Sequence, residues 1–258
     1  MADPEFLILP DGTRLECARE PARRRGPTLV LLHEGLGCVA LWKDFPARLA
    51  AVTGLAVFTF SRAGYGASSP VALPRPLDFH TREALTVLPP LLDAAGIADC
   101  VLVGHSDGAS IALVYAGRVA DPRVRGVVVM APHVLTEEKT LATIAAAADD
   151  YRTGGLRERL ARRHGANVDC AFHGWCDAWL DAGFRNWSIE DAVAAITVPV
   201  LCIRGNDDPY NTAVHAERIA ALASGPVRRL DLDACGHAPH ADQPQRVLTA
   251  IAAFVAPL

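Results

Sequence analysis

Val101-Leu102-Val103-Gly104-His105-Ser106-Asp107-Gly108-Ala109-Ser110 is the stretch whose reading decides the fold. A short branched apolar run leads without a spacer into Gly-x-Ser-x-Gly. Small residues at helical spacing follow it, over 109–116. That is a strand, a sharp turn and a helix, the setting this motif requires. A serine in such a turn is pushed out to expose its oxygen. The flanking glycines let the strand and helix backbones approach closely.

Outward from this turn, short β-branched-rich runs recur at 28–32, 55–60, 100–103, 127–130 and 198–203, with a polar-alternating run at 227–232. Each is too short for a buried helix, and most are bounded by Gly or Pro. Segments with helical spacing lie between them, at 40–52, 82–95, 108–120, 212–223 and 244–255. Pro89 and Pro90 are expected to kink the second of these. The alternation predicts an α/β fold, a parallel sheet with helices on both faces. Residues 135–196 break the pattern. They contain no strand signal and read as several helices, with breaks at Gly154-Gly155 and Gly165. Phe172, Trp175, Trp179, Phe184 and Trp187 lie there, to form a local core, to face a substrate, or both.

With 258 residues, 51% hydrophobic and 21% charged, the chain suits one large domain, or one domain with an insertion. A formal charge of -4 gives no basic surplus, so a nucleic-acid partner is not expected. The seven cysteines form no CxxC pair, and Cys100 and Cys202 sit in apolar runs. They read as reduced, mostly buried thiols of a cytoplasmic protein. No run reaches the roughly 18 apolar residues of a membrane span, and no secretory signal is recognised. Residues 2–6 read as an artificial leader and are left out of the functional argument.

A serine hydroxyl needs a base to take its proton and a third group to orient that base. In the strand–turn–helix architecture the chain order is Ser, acid, His. Asp207 and Asp208 follow the 198–203 run and Gly205, where either can serve as the acid while the other holds the turn. His237 and His240, in Cys235-Gly236-His237-Ala238-Pro239-His240, are rivals for the base. Their i, i+3 spacing has no supporting ligand cluster, so no metal is expected. An oxyanion hole would draw on the Asp107 amide and on an amide of His33-Glu34-Gly35-Leu36-Gly37.

These segments, with Ser61-Arg62-Ala63-Gly64-Tyr65-Gly66-Ala67-Ser68 and Gly205-Asn206-Asp207-Asp208-Pro209, occur in an order that resembles the α/β-hydrolase fold superfamily. The likeness is to its small capped esterases, lactonases and C–C bond hydrolases, and it covers nearly the whole chain. It implies a mostly parallel sheet flanked by helices, with a helical cap inserted after the sixth strand. The core would be 1–134 and 197–258, and the cap 135–196. It implies Ser106 as nucleophile, Asp208 as acid, three residues after the glycine, and His237 as base, directly after a glycine. Gly35 and Asp107 would supply the oxyanion hole. Two departures stand out. Glu34 replaces the usual second glycine of the His-Gly turn, either hydrogen-bonding that turn or positioning a water or a substrate donor. Ser61 stands where many relatives carry Asp, with Arg62 tying neighbouring turns.

The implied activity is hydrolysis of an ester, lactone or thioester of an apolar or aromatic small molecule through an acyl-enzyme, with no cofactor. Candidate substrate contacts are Glu34, Phe172, Trp175, Trp179 and Trp187. The same residues serve hydrolytic C–C cleavage of a diketone or acyl transfer, and a non-catalytic binding scaffold is the rival from another class. Haloalkane dehalogenation is disfavoured, since it needs Asp at position 106. Arg157, Arg159, Arg162 and Arg163 invite a coenzyme A handle but read better as an exposed helix face.

Overall fold

The structure, a computed structural model, describes residues 5–258; residues 2–4 of the presumed leader lie outside them. Eight strands form one sheet in the order β1-β2-β4-β3-β5-β6-β7-β8. They are Glu5–Ile8 (β1), Arg14–Glu20 (β2), Thr28–Leu32 (β3), Val57–Phe60 (β4), Cys100–His105 (β5), Val124–Met130 (β6), Val200–Gly205 (β7) and Val227–Leu232 (β8). From β4 to β8 every pairing is parallel. β1 and β2 join antiparallel at one edge. The sequence reading missed both, because only Leu15 and Cys17 of β2 point into the core, too faint an alternation to register.

The helices are Phe45–Thr53 (α1), Phe79–Arg82 (α2), Leu88–Ala94 (α3), Asp107–Arg118 (α4), Glu138–Thr153 (α5), Leu156–His164 (α6), Val168–Leu180 (α7), Glu190–Ala194 (α8), Val214–Leu222 (α9), Pro239–Asp242 (α10) and Pro244–Val255 (α11). None is long and apolar enough to cross a membrane. The segment expected as one helix over 40–52 is a 3-10 turn, Val39–Trp42, followed by α1; Lys43 breaks it at φ 53°. Where Pro89 and Pro90 predict a kink, a π turn, Glu83–Val87, precedes them. The hydrogen-bond ladder thus changes register just before two residues that bring no N–H to it.

Strand side chains alternate between two cores. Val30, Leu32, Leu102 and Val129 pack with α3, α4 and α8 on one face. Leu29, Leu31, Val101 and Met130 pack with α1 and α11 on the other. A third core, including Ile144, Phe172, Trp175 and Phe184, belongs mainly to the helices between β6 and β7. Those helices end at the expected breaks: Gly154 caps α5, and Gly165, at φ 53°, caps α6. All seven cysteines are free thiols and six are buried. Burial raises Cys100, Cys176 and Cys202 to about 12.

α4 runs through the first core and meets α8 at Gly117. A Cβ there would overlap the carbonyl oxygen of Ala192. Backbone leaves no room for a side chain to yield, so Gly117→Ala is expected to cost about 1–3 kcal/mol. Urea denaturation measures this, and wild-type stability would show that α8 shifts freely.

Candidate active site

Ser106 sits between β5 and α4 at φ 52°, ψ −118°, a left-handed conformation costing about 1–3 kcal/mol in a residue with a Cβ. Its amide donates to Met130 O at 2.9 Å, and its carbonyl accepts from Ala109 and Ser110, which starts the helix. Both motif glycines are sterically required. A Cβ on Gly108 would overlap the Leu32 carbonyl at the end of β3, and one on Gly104 would overlap Gly108 and Ala109.

Three loops at the carboxyl ends of the parallel strands converge on this serine, as open α/β sheets favour. His237 Nε2 lies 2.9 Å from Ser106 Oγ, and His237 Nδ1 lies 2.7 Å from Asp208 Oδ2. A carboxylate only accepts, so Nδ1 carries the proton and Nε2 is left to accept from the serine hydroxyl. Burial pushes the Asp208 carboxyl up, but the His237 hydrogen bond and charge, with the amides of Tyr210 and Asn211, hold it below its ordinary value. The alternatives are elsewhere. Asp207 is exposed, with its amide bonded to Cys235 O. His240 packs against Trp42 at 4.9 Å and Phe45 at 5.4 Å, and burial, assisted by His105, holds it at about 3.

Ser106 and His237 border a cavity of about 70 Å³, together with Glu34, Gly35 and Asp107. Leu36, Ile144, Trp175 and Trp179 supply its apolar wall; His133, Thr140 and Tyr210 add polar atoms. A Cβ on Gly35 would overlap the Trp175 indole, so a larger residue there would have to displace that ring. Trp179 also donates Nε1–H to Asp107 Oδ1 at 3.2 Å, and His80 Nε2 reaches that oxygen at 3.2 Å. Two expected substrate contacts are not in the wall. Phe172 stacks on Tyr151 at 3.6 Å, and Trp187 stacks on Phe184 at 5.1 Å, both serving the helical core. Arg157 and Arg159 are neutralised by Asp169 and Asp150, as an exposed helix face would have them.

The departures from the family pattern have compensations. Ser61 Oγ accepts from the Val39 amide at 2.9 Å and donates to Glu16 Oε2 at 2.7 Å. The carboxylate thus comes from β2 instead of from position 61. Arg62 does tie turns together: its amide donates to His33 Nε2 and its Nη2 to Glu34 O, each at 3.0 Å. The Glu34 carboxylate turns to His105, with Oε2 3.4 Å from Nδ1.

Several residues that serve the site carry no sequence signal. Lys139 donates to Asp208 O at 2.6 Å, and Thr140 and Thr143 to the carbonyls of Tyr210 and Pro209. His133 lies just past the end of β6, and that position is the one cue that marks it. Burial holds its ring well below the usual range, reinforced by His215 and His237.

Glu137 anchors the start of α5. It accepts from Thr212 Oγ1 at 2.7 Å and from His215 Nε2 at 2.6 Å. Burial raises its carboxyl, but the bonds from His215 and Thr212 prevail and bring it to about 2. A depressed folded-state pKa gives stability that is present above the ordinary carboxylate value and lost as pH falls toward about 2. Glu137→Gln is therefore expected to be less stable at neutral pH and to show a flatter decline below about pH 4.5. Urea midpoints measured across that range check it; parallel curves would refute it.

The alpha/beta hydrolase family profile matches residues 29–250. Epoxide hydrolase A of Mycobacterium tuberculosis is 26% identical, with 98% of each chain covered. A hydrolase from Pseudomonas aeruginosa superposes with TM-score 0.78 at 22% identity, covering 99% of both chains. An esterase from Exiguobacterium antarcticum gives 0.77 at 19%, covering 98% of this chain and 99% of its own.

Proposed function

The chain belongs to the alpha/beta hydrolase family, and from that premise we propose that it is a serine hydrolase in which Ser106, His237 and Asp208 are the catalytic triad. The observation that carries the reading is the unbroken chain from Ser106 Oγ through both nitrogens of His237 to Asp208, at the edge of a cavity.

Ser106 Oγ attacks the carbonyl carbon of a carboxylic ester, lactone or thioester while His237 Nε2 takes the hydroxyl proton. Asp208 holds the required tautomer and stabilises the imidazolium. The amides of Gly35 and Asp107 hold the oxyanion. Collapse expels the alcohol or thiol, which takes the proton from His237. Water then enters, gives a proton to the same nitrogen, and cleaves the acyl-enzyme to acid and free serine.

The helices over 135–196 act as a cap that roofs the cavity with Ile144, Trp175 and Trp179. A space of about 70 Å³ suits a short apolar acyl or alcohol group better than an extended aromatic one.

Ser106→Ala is expected to abolish turnover of short-chain esters and labelling by a fluorophosphonate probe, with the thermal transition retained. Asp208→Asn is expected to lower kcat by about 10³–10⁴ through the wrong histidine tautomer. Ester hydrolysis unaffected by Ser106→Ala would sink this reading.

A further inference from the structure

Glu34 places a carboxylate beside the turn proposed to hold an oxyanion. Enclosing such a charge is costly without a partner. Its partner is His105, whose Nδ1 faces Glu34 Oε2 at 3.4 Å and whose Nε2 donates to the His237 carbonyl at 2.7 Å. The carbonyl at Nε2 and the carboxylate at ion-pair distance from Nδ1 both favour the protonated ring, which biases His105 toward imidazolium. Burial opposes both charges, yet each sustains the other: Glu34 is held below its ordinary pKa and His105 above.

The ion pair turns Oε2 toward His105, and among the described residues no other residue donates a hydrogen bond to the Glu34 carboxylate; its side chain keeps 28% of its surface and borders the cavity with Ser106 and His237. Ile144, Trp175 and Trp179 give the cavity much of its apolar lining, beside the polar atoms of His133, Thr140 and Tyr210. An ionised carboxylate that borders this space without a hydrogen-bond donor calls for one on whatever enters.

We propose that Glu34 is a specificity determinant that accepts a hydrogen bond from a hydroxyl or ammonium group on the small part of the substrate entering the cavity. This rests on the serine hydrolase reading and narrows it to hydroxy- or amino-substituted short esters. It also disfavours substrates bearing a carboxylate at that place, which like charge would repel.

Matched esters test the idea. Ethyl glycolate and ethyl propionate differ by hydroxyl for methyl, as do 2-hydroxyethyl acetate and propyl acetate; glycine ethyl ester supplies the ammonium. Titration of released acid gives kcat/KM for wild type, Glu34→Gln and Glu34→Met. Wild type is expected to favour a donor-bearing ester over its isostere by roughly 10- to 100-fold, the range of a charge-assisted hydrogen bond. Glu34→Met should erase that ratio. Glu34→Gln should keep the hydroxyl preference and lose the ammonium one.

Equal ratios in all three proteins overturn the proposal. So does an equal loss on every ester, which assigns Glu34 to the water or the oxyanion instead. NMR titration of Ser106→Ala, with and without Glu34→Met, measures the same ratio without turnover, and its absence there overturns the proposal too. Fluorophosphonate labelling separates the two claims and reports folding of the variants. Labelled protein with no donor preference refutes the role of Glu34 alone, whereas unlabelled wild type refutes the serine hydrolase reading.

Discussion

The close approach of Gly108 to the Leu32 carbonyl governs the geometry of this molecule. Because no side chain stands between α4 and the end of β3, the helix begins directly beside the turn that holds Glu34 and Gly35. Ser106 has to bridge strand and helix in one residue and is forced to positive φ. The energy stored there is offset by the two cores that clamp β5 and α4. The same constraint brings the amide region of Asp107 and the His33–Gly37 turn to one cavity. A larger residue at 108 would not merely loosen packing; it would push the start of α4 away from the end of β3.

Around that constraint, buried histidines act as fixed connectors. His33 donates Nδ1–H to Glu34 O at 2.7 Å and accepts the Arg62 amide at Nε2. His164 accepts the Gly66 amide at Nδ1, and its Nε2 faces Leu36 O at 3.0 Å. His215 accepts from Val134 and donates to Glu137. In each ring one nitrogen meets a donor and the other an acceptor, which suits neutral imidazole. Burial lowers His33, with Arg62 adding to it, and lowers His164. His105 differs, because a carbonyl meets its Nε2 and a carboxylate stands at ion-pair distance from its Nδ1.

The framework was legible in the sequence because it depends on local signals. β3 and α11 have the expected boundaries, and β5 extends the expected run by two residues to His105. Ser106, Asp208 and His237 are brought together because each follows a parallel strand, so order along the chain becomes adjacency at one rim. What failed to show depends on distant partners. Lys139 and Glu137 look like ordinary polar residues near a helix start, yet they grip a loop some 70 residues away. Phe172 and Trp175 are chemically alike, three residues apart and both in the third core, but only Trp175 also reaches the cavity. The Glu16 carboxylate, which serves the Ser61 turn, sits on a strand that the apolar pattern does not disclose.

The attachments of the inserted helices tie that layer to the loops around Ser106. His164 and Asn167 bond the Gly66 and Leu36 turns, and Lys139, Thr140 and Thr143 bond the loop carrying Asp208. A swing of this layer as one rigid body would tug on the Asp208 loop and on the Leu36 turn together. The position of the inserted helices and the placement of Asp208 and Leu36 are thereby geared to each other.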